Sequence, residues 1–129
     1  MCGIVGVKTK RKNGLFNSDL DIFSDMLFAD QLRGSHGTGI FWDEFGDSKY
    51  LKGPMPSSSF LRSKEYPEVV KDIVRLGNFV IGHNRHATKG EINFNNTHPF
   101  QEGDIKRRQI TLIHNGTLHS HRHKKKVDV

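Results

Sequence analysis

Apolar positions recur at three- and four-residue intervals through Leu20, Ile22, Phe23, Met26, Leu27 and Leu32, which predicts an amphipathic helix entered at Ser18 or Asp19 and stopped at Gly34. A second helix is predicted from Val69, Val70, Ile73, Val74 and Leu76, with Pro67 tolerated in its first turn, where no intrahelical bond needs its N–H. Strand patterning fills the intervals. Residues 2–9 alternate apolar and small side chains, turn basic, and run into a polar turn at 10–14. Residues 39–42 and 49–52 flank the turn Glu44-Phe45-Gly46-Asp47 and form a hairpin. Residues 78–82 and 109–113 make two further strands. The first is followed by the polar run 83–90 and the second by His114-Asn115-Gly116. The glycine-rich run 33–39 and the Pro/Ser-rich run 53–59 read as loops. Strand, helix, hairpin, helix, strand, strand is a mixed α+β order, without repeats or an internal linker. Functional groups are expected in the polar clusters just past the buried strands, where a rigid scaffold presents them.

Length adds little to this picture: 129 residues suit one domain with a core that needs neither disulfide nor metal. One cysteine makes no intramolecular bridge, and no signal peptide or long apolar run is visible. A reducing cytoplasm, away from any membrane, is therefore the expected setting. Charge adds more. The net +6 points toward nucleic acid until it is located: without Arg122, Lys124, Lys125 and Lys126 the chain carries only +2. The excess belongs to a His/Lys-rich tail, 119–129, and a basic terminal run is usually a solvated end, so no specific nucleic-acid partner is expected. The alternate histidines His119, His121 and His123, with His114, are a candidate zinc or nickel set. No cysteine or acid accompanies them, and neither a metal nor another cofactor is expected.

Candidate chemistry is concentrated at the other end. The one cysteine stands at position 2, where removal of Met1 makes it the first residue. Such a residue carries a thiol beside a free α-amine, with ordinary pKa values near ~8.5 and ~7.7–8.0. The amine is neutral often enough at neutral pH to act as the base that activates its own thiol. The alternative for a lone cysteine is a small buried hydrophobe.

Cys2-Gly3-Ile4-Val5-Gly6, Arg33-Gly34 with Gly39, Gly82-His83-Asn84-Arg85-His86-Ala87-Thr88-Lys89-Gly90, Thr97-His98-Pro99-Phe100 and His114-Asn115-Gly116 resemble, in order and spacing, the class II glutamine amidotransferase domain. This is the N-terminal-nucleophile glutaminase module of the glucosamine-6-phosphate synthase and purine amidotransferase type. The resemblance covers residues 2–118 and implies an αββα sandwich, incomplete here. It further implies hydrolysis of the glutamine side-chain amide to glutamate and ammonia through a γ-glutamyl thioester on Cys2. Asn115 (side chain) and Gly116 (backbone N–H) match the oxyanion donors. Arg85 matches the residue that grips the substrate α-carboxylate with a planar, two-pronged guanidinium. Thr88 and His86 match pocket-lining positions, and Arg33 with Gly34 matches a loop that organises the nucleophile. From the residues alone, Asn-Gly reads first as a tight hairpin turn, and Arg33 is equally a helix-end arginine satisfying carbonyls.

Two departures stand out. His36 occupies a position where the family usually has aspartate, which leaves the ion-pair pattern there open. The family also continues into a helix and a loop whose aspartate binds the substrate α-amine, whereas here the chain passes into the basic tail, and Asp128 is not assigned that role. The expectation is a shortened module, weakly active or completed by an ammonia-accepting synthetase in trans. Two other readings compete with it: a catalytically impaired binding remnant with a basic tail, and an N-terminal-cysteine hydrolase of another amide.

Overall fold

The computed structural model describes residues 1–104 and 108–117. The first predicted helix forms as α1, Asn17–Ala29. Neither Ser18 nor Asp19 caps it: Phe16 takes the cap position, and Asp19 reaches back from the first turn to accept the Phe16 N–H at 2.8 Å. The Asp19 carboxylate also pairs with Arg11, so one acid satisfies an orphan donor and favours the positive end of the helix. Leu20, Phe23 and Leu27 form its buried stripe, each worth about 1.5–3 kcal/mol of burial. Ile22 and Leu32 do not belong to it. Ile22 lies between the stripe positions and is 58% exposed, and Leu32 is 97% exposed because the helix ends at Ala29 and continues as a 3₁₀ turn, Asp30–Arg33, which changes the period.

The predicted hairpin is longer than its sequence signal. β2 (Gly37–Glu44) and β3 (Asp47–Gly53) pair antiparallel, joined by Phe45 and Gly46 at φ 51° and 84°, the pair of positive φ values that a two-residue primed turn demands. Gly37-Thr38-Gly39 is thus strand and not loop. A Cβ on Gly39 would stand 1.8 Å from the His98 carbonyl oxygen, so the glycine is there to let another segment lie flat on the strand. The run 53–59 also departs from expectation, since Ser57–Phe60 closes a short helix, α2, that buries Phe60. The second predicted helix is α3, Glu65–Leu76, with Pro67 in its first turn as expected.

β1 (Gly3–Lys8), β4 (Phe79–Arg85), β2 and β3 form one antiparallel sheet in the order β1-β4-β2-β3. Strand alternation sorts its two faces. Val5, Val7, Ile40, Trp42, Leu51 and Val80 pack with the helices into the core. The opposite face carries an open apolar hollow of about 350 Å³ among Gly6, Lys8, Phe41, Phe79 and Ile81. β4 runs three residues past its predicted end, and His83, Asn84 and Arg85 are buried strand residues. Sequence reading also passed over β5, Phe100–Glu102, which pairs with β6, Ile110–Leu112, as a second small sheet. That sheet is pinned to β3: Gln101 Nε2 donates to the Ser48 carbonyl at 2.8 Å, Thr111 Oγ1 to Ser48 Oγ at 2.8 Å, and Lys52 Nζ to the Thr97 and Pro99 carbonyls at 2.8 and 3.0 Å. The chain is mixed α+β, with helices on one face of the large sheet and the small sheet against the other.

At the seam between the sheets the rings of His83 and His98 stack at 4.1 Å, 7° from parallel. Burial pushes both below the ordinary histidine range of 6.5, His83 to about 4 and His98 to about 3, and the neighbouring cations push the same way. A folded-state pKa below the unfolded value means that the unfolded chain takes up the protons first. Stability is therefore full above pH 6.5 and declines as pH falls toward 4 and 3. Urea denaturation should show a loss of roughly 2 kcal/mol per histidine between about pH 7 and pH 5, and His98→Asn should remove about half of that dependence.

Candidate active site

Cys2 reaches the site at the head of β1, where pairing of Gly3 with Asn84 sets its position against β4. Each of its polar atoms is held by a different segment. Its nitrogen donates to Asn115 Oδ1 at 3.1 Å, across 113 positions of sequence. Its sulfur accepts the backbone N–H of His86 at 3.3 Å, and its carbonyl accepts Arg33 Nε–H at 3.2 Å. The side chain is 9% exposed.

These partners are brought together by backbone packing. A Cβ on Gly34 would stand 2.4–2.6 Å from the Arg85 carbonyl group and the His86 nitrogen, so the Arg33-Gly34 turn lies directly on the end of β4. Beneath Cys2, the Asp30 carboxylate fills the space that a side chain at position 3 would need. Asp30 accepts a hydrogen bond from Asn84 Nδ2 at 3.1 Å. The same amide donates to the Leu27 carbonyl at 3.0 Å and accepts from Thr38 Oγ1 at 3.3 Å. Asn84 and Thr38 are fully buried, and this satisfied network ties α1, β2 and β4 together under the nucleophile.

Asn115 and Gly116 follow β6 in irregular backbone, not in a hairpin turn. Gly116 has φ 153°, which few other residues adopt, and sits against the His114 ring. With Oδ1 committed to the Cys2 nitrogen, Asn115 presents the other end of its amide as a donor.

The remaining expected residues are placed as follows. Arg85 is 6% exposed, and its guanidinium is turned into its own loop, where Nη1 donates to the Glu91 carbonyl at 2.8 Å and Nη2 to the Lys89 carbonyl at 3.0 Å. Two of the five guanidinium N–H donors are thus used within the described residues. The His86 ring is exposed and stacks on His36 at 5.1 Å, and its role next to the thiol is played by its main chain. Thr88 Oγ1 lies 3.4 Å from Thr117 Oγ1, so the 86–90 loop meets the loop that carries Asn115.

His36, Asp30, Asn84 and Thr38 were not singled out as site residues. At His36 an acceptor nitrogen replaces the expected acid. Its Nδ1 takes the Ala87 N–H at 2.9 Å while its backbone N–H donates to the Arg85 carbonyl at 3.0 Å, so the turn after β4 is stapled by the ring and main chain of His36. Counting alternate positions through Val80, Gly82 and Asn84 would have put Asn84 on the helix-facing side of a longer strand. No group of three or more metal-ligating side chains occurs among the described residues. Leu118, the tail 119–129 with its histidines and lysines, and Asp128 lie outside the described residues.

The sequence model of the class II glutamine amidotransferases matches residues 1–128. A glutamine–fructose-6-phosphate aminotransferase (isomerizing) of Streptococcus pyogenes serotype M6 is 32% identical over 121 residues, which cover 94% of this chain and 17% of the relative. The chain therefore spans about a sixth of the length of that curated relative. No solved structure matches it significantly. A family match along almost the whole chain, a curated relative above 30% identity, and motifs that meet in space around one cysteine lead to one assignment: this chain belongs to the class II glutamine amidotransferases.

Proposed function

We propose that this chain is a glutaminase module in which Cys2, freed of Met1, hydrolyses the side-chain amide of glutamine. The observation that carries the reading is the 3.1 Å bond between the Cys2 nitrogen and Asn115 Oδ1, with the Cys2 sulfur on the His86 N–H. That nitrogen belongs to the Met1–Cys2 peptide in the structure; once Met1 is removed, the amine that takes its place keeps an N–H on the Asn115 oxygen and has a lone pair left to take the thiol proton. The sulfur then attacks the amide carbon, and the carbonyl π electrons move to oxygen. The resulting oxyanion is met by Asn115 Nδ2 and the Gly116 N–H. Collapse breaks the C–N bond, the α-ammonium protonates the departing nitrogen, and ammonia leaves a γ-glutamyl thioester. Water adds next, giving its proton to the same amine. A second collapse expels the thiolate, which regains its proton, and releases glutamate.

In this reading Arg33 fixes the Cys2 carbonyl, and Gly34 lets that turn approach β4. Arg85, Thr88 and His86 line the glutamine pocket, with Arg85 donors on the α-carboxylate. No cofactor takes part. The relative's name places its amino group on fructose 6-phosphate, and the corresponding acceptor here is assigned to another domain or subunit that receives the ammonia. The helices of the described residues are too short and polar to cross a membrane.

Intact-mass analysis before and after treatment with a glutamine-mimicking diazo ketone tests the nucleophile. The expected result is loss of Met1 and one adduct on Cys2, abolished in Cys2→Ser; a mature chain that keeps Met1 and takes up no label would sink the reading. Asn115→Ala removes both the amine anchor and an oxyanion donor, and should lower glutamine hydrolysis by about 10²–10³-fold while leaving the melting temperature nearly unchanged.

A further inference from the structure

Two buried histidines outside the reacting set hold one peptide group each side of the residue before Asn115. His83, on β4, donates from Nε2 to the His114 carbonyl at 3.0 Å. His98, just before β5, accepts the His114 N–H on Nδ1 at 3.0 Å. Because a carbonyl only accepts and a backbone N–H only donates, the contacts determine the protonation of both rings. His83 carries its proton on Nε2, and His98 must leave Nδ1 bare. Stacking at 4.1 Å keeps the rings in register, and Phe100 closes against His98 at 4.4 Å. The charged and titratable groups that face the pair are His114 itself, Arg85 from β4 and Lys52 from β3, and each opposes a further positive charge on the rings. The two sheets therefore meet on the backbone of the residue that leads into Asn115, whose side chain lies on Cys2.

We propose that His83 and His98 are positioning residues: as neutral imidazoles they clamp the N–H and the carbonyl of His114, and so seat Asn115 on the nitrogen of Cys2. A proton added to His98 Nδ1 would set donor against donor and open the clamp. This inference rests on the glutaminase reading for its catalytic consequence, but its geometry can be tested separately.

The test uses the full chain and two readouts, the rate of Cys2 labelling by the diazo ketone and hydrogen exchange at the His114 amide. His98→Phe keeps the ring and removes the acceptor. It should slow labelling roughly tenfold or more, the effect of one unpaired buried donor, with the half-saturating reagent concentration unchanged. His98→Asn, which restores an acceptor near the same place, should recover most of the rate. In the wild-type chain, protection of the His114 amide should be held through neutral pH and lost only when acid protonates His98, and a loss already near neutral pH would count against the clamp. Labelling of His98→Phe at the wild-type rate would overturn the proposal. If the wild-type chain takes no label, the glutaminase reading fails on its own and the clamp is judged by exchange: protection lost in His98→Phe supports it, and equal exchange in the two proteins refutes it. Should His98→Phe not fold by circular dichroism, His83→Gln (donor kept) and His83→Met (donor lost) carry the same comparison.

Discussion

The hydrogen bond between the Cys2 nitrogen and Asn115 Oδ1 is the constraint on which the site depends. It joins the head of β1 to the loop after β6, and each partner is brought there by contacts distant in sequence. β1 reaches the site because it pairs with β4 from Lys8↔Phe79 to Gly3↔Asn84. The Asn115 loop reaches it because the small sheet is bonded to Ser48 and Lys52 on the far side of the large one. A slip of either sheet by one residue would exchange the faces of its side chains and separate the two groups.

Most contacts around the nucleophile are made by main-chain atoms: the His86 N–H, the Cys2 carbonyl, the Arg85 carbonyl and the Ala87 N–H. Main-chain donors move only when the backbone moves, which makes them stiffer supports than long side chains. Small residues allow this arrangement. Gly34 and Gly3 stand where backbone or a carboxylate comes within contact distance, and the buried Asn84 amide is satisfied on both of its ends. The site is thus built by close approach of strands and turns, with Arg33 and His36 as the side-chain staples.

Periodicity made α1 and α3 legible because both bury one stripe against a sheet; Phe23 and Ile73 mark those stripes. It misplaced Leu32, since a 3.6-residue repeat does not persist into a 3₁₀ turn. Gly37–Gly39 read as a loop because glycine disfavours strands locally, whereas the Thr97–Pro99 segment needs a bare strand to lie against, a demand made from sixty residues away. β5 is three residues long and too short to carry alternation. Arg33 and Asn115 were legible only through the resemblance and its spacing; Cys2 was a candidate from its place after Met1, and the resemblance decided between a nucleophile and a buried thiol. His98 was quoted as part of a motif without a role, and its bond to the His114 amide depends on how two sheets meet, which no local reading contains.

The 113-residue span of the Cys2–Asn115 contact also orders events during synthesis. Until position 115 has left the ribosome, the Cys2 nitrogen has no partner, and the long closure makes this contact a late one. On the proposed reading, the Met1–Cys2 peptide is cut in that interval, before the Asn115 loop closes on the Cys2 nitrogen. Trimming the start of the chain and assembling its pocket would then be sequential steps, with the nascent chain protected from premature amide chemistry by its own unfinished topology.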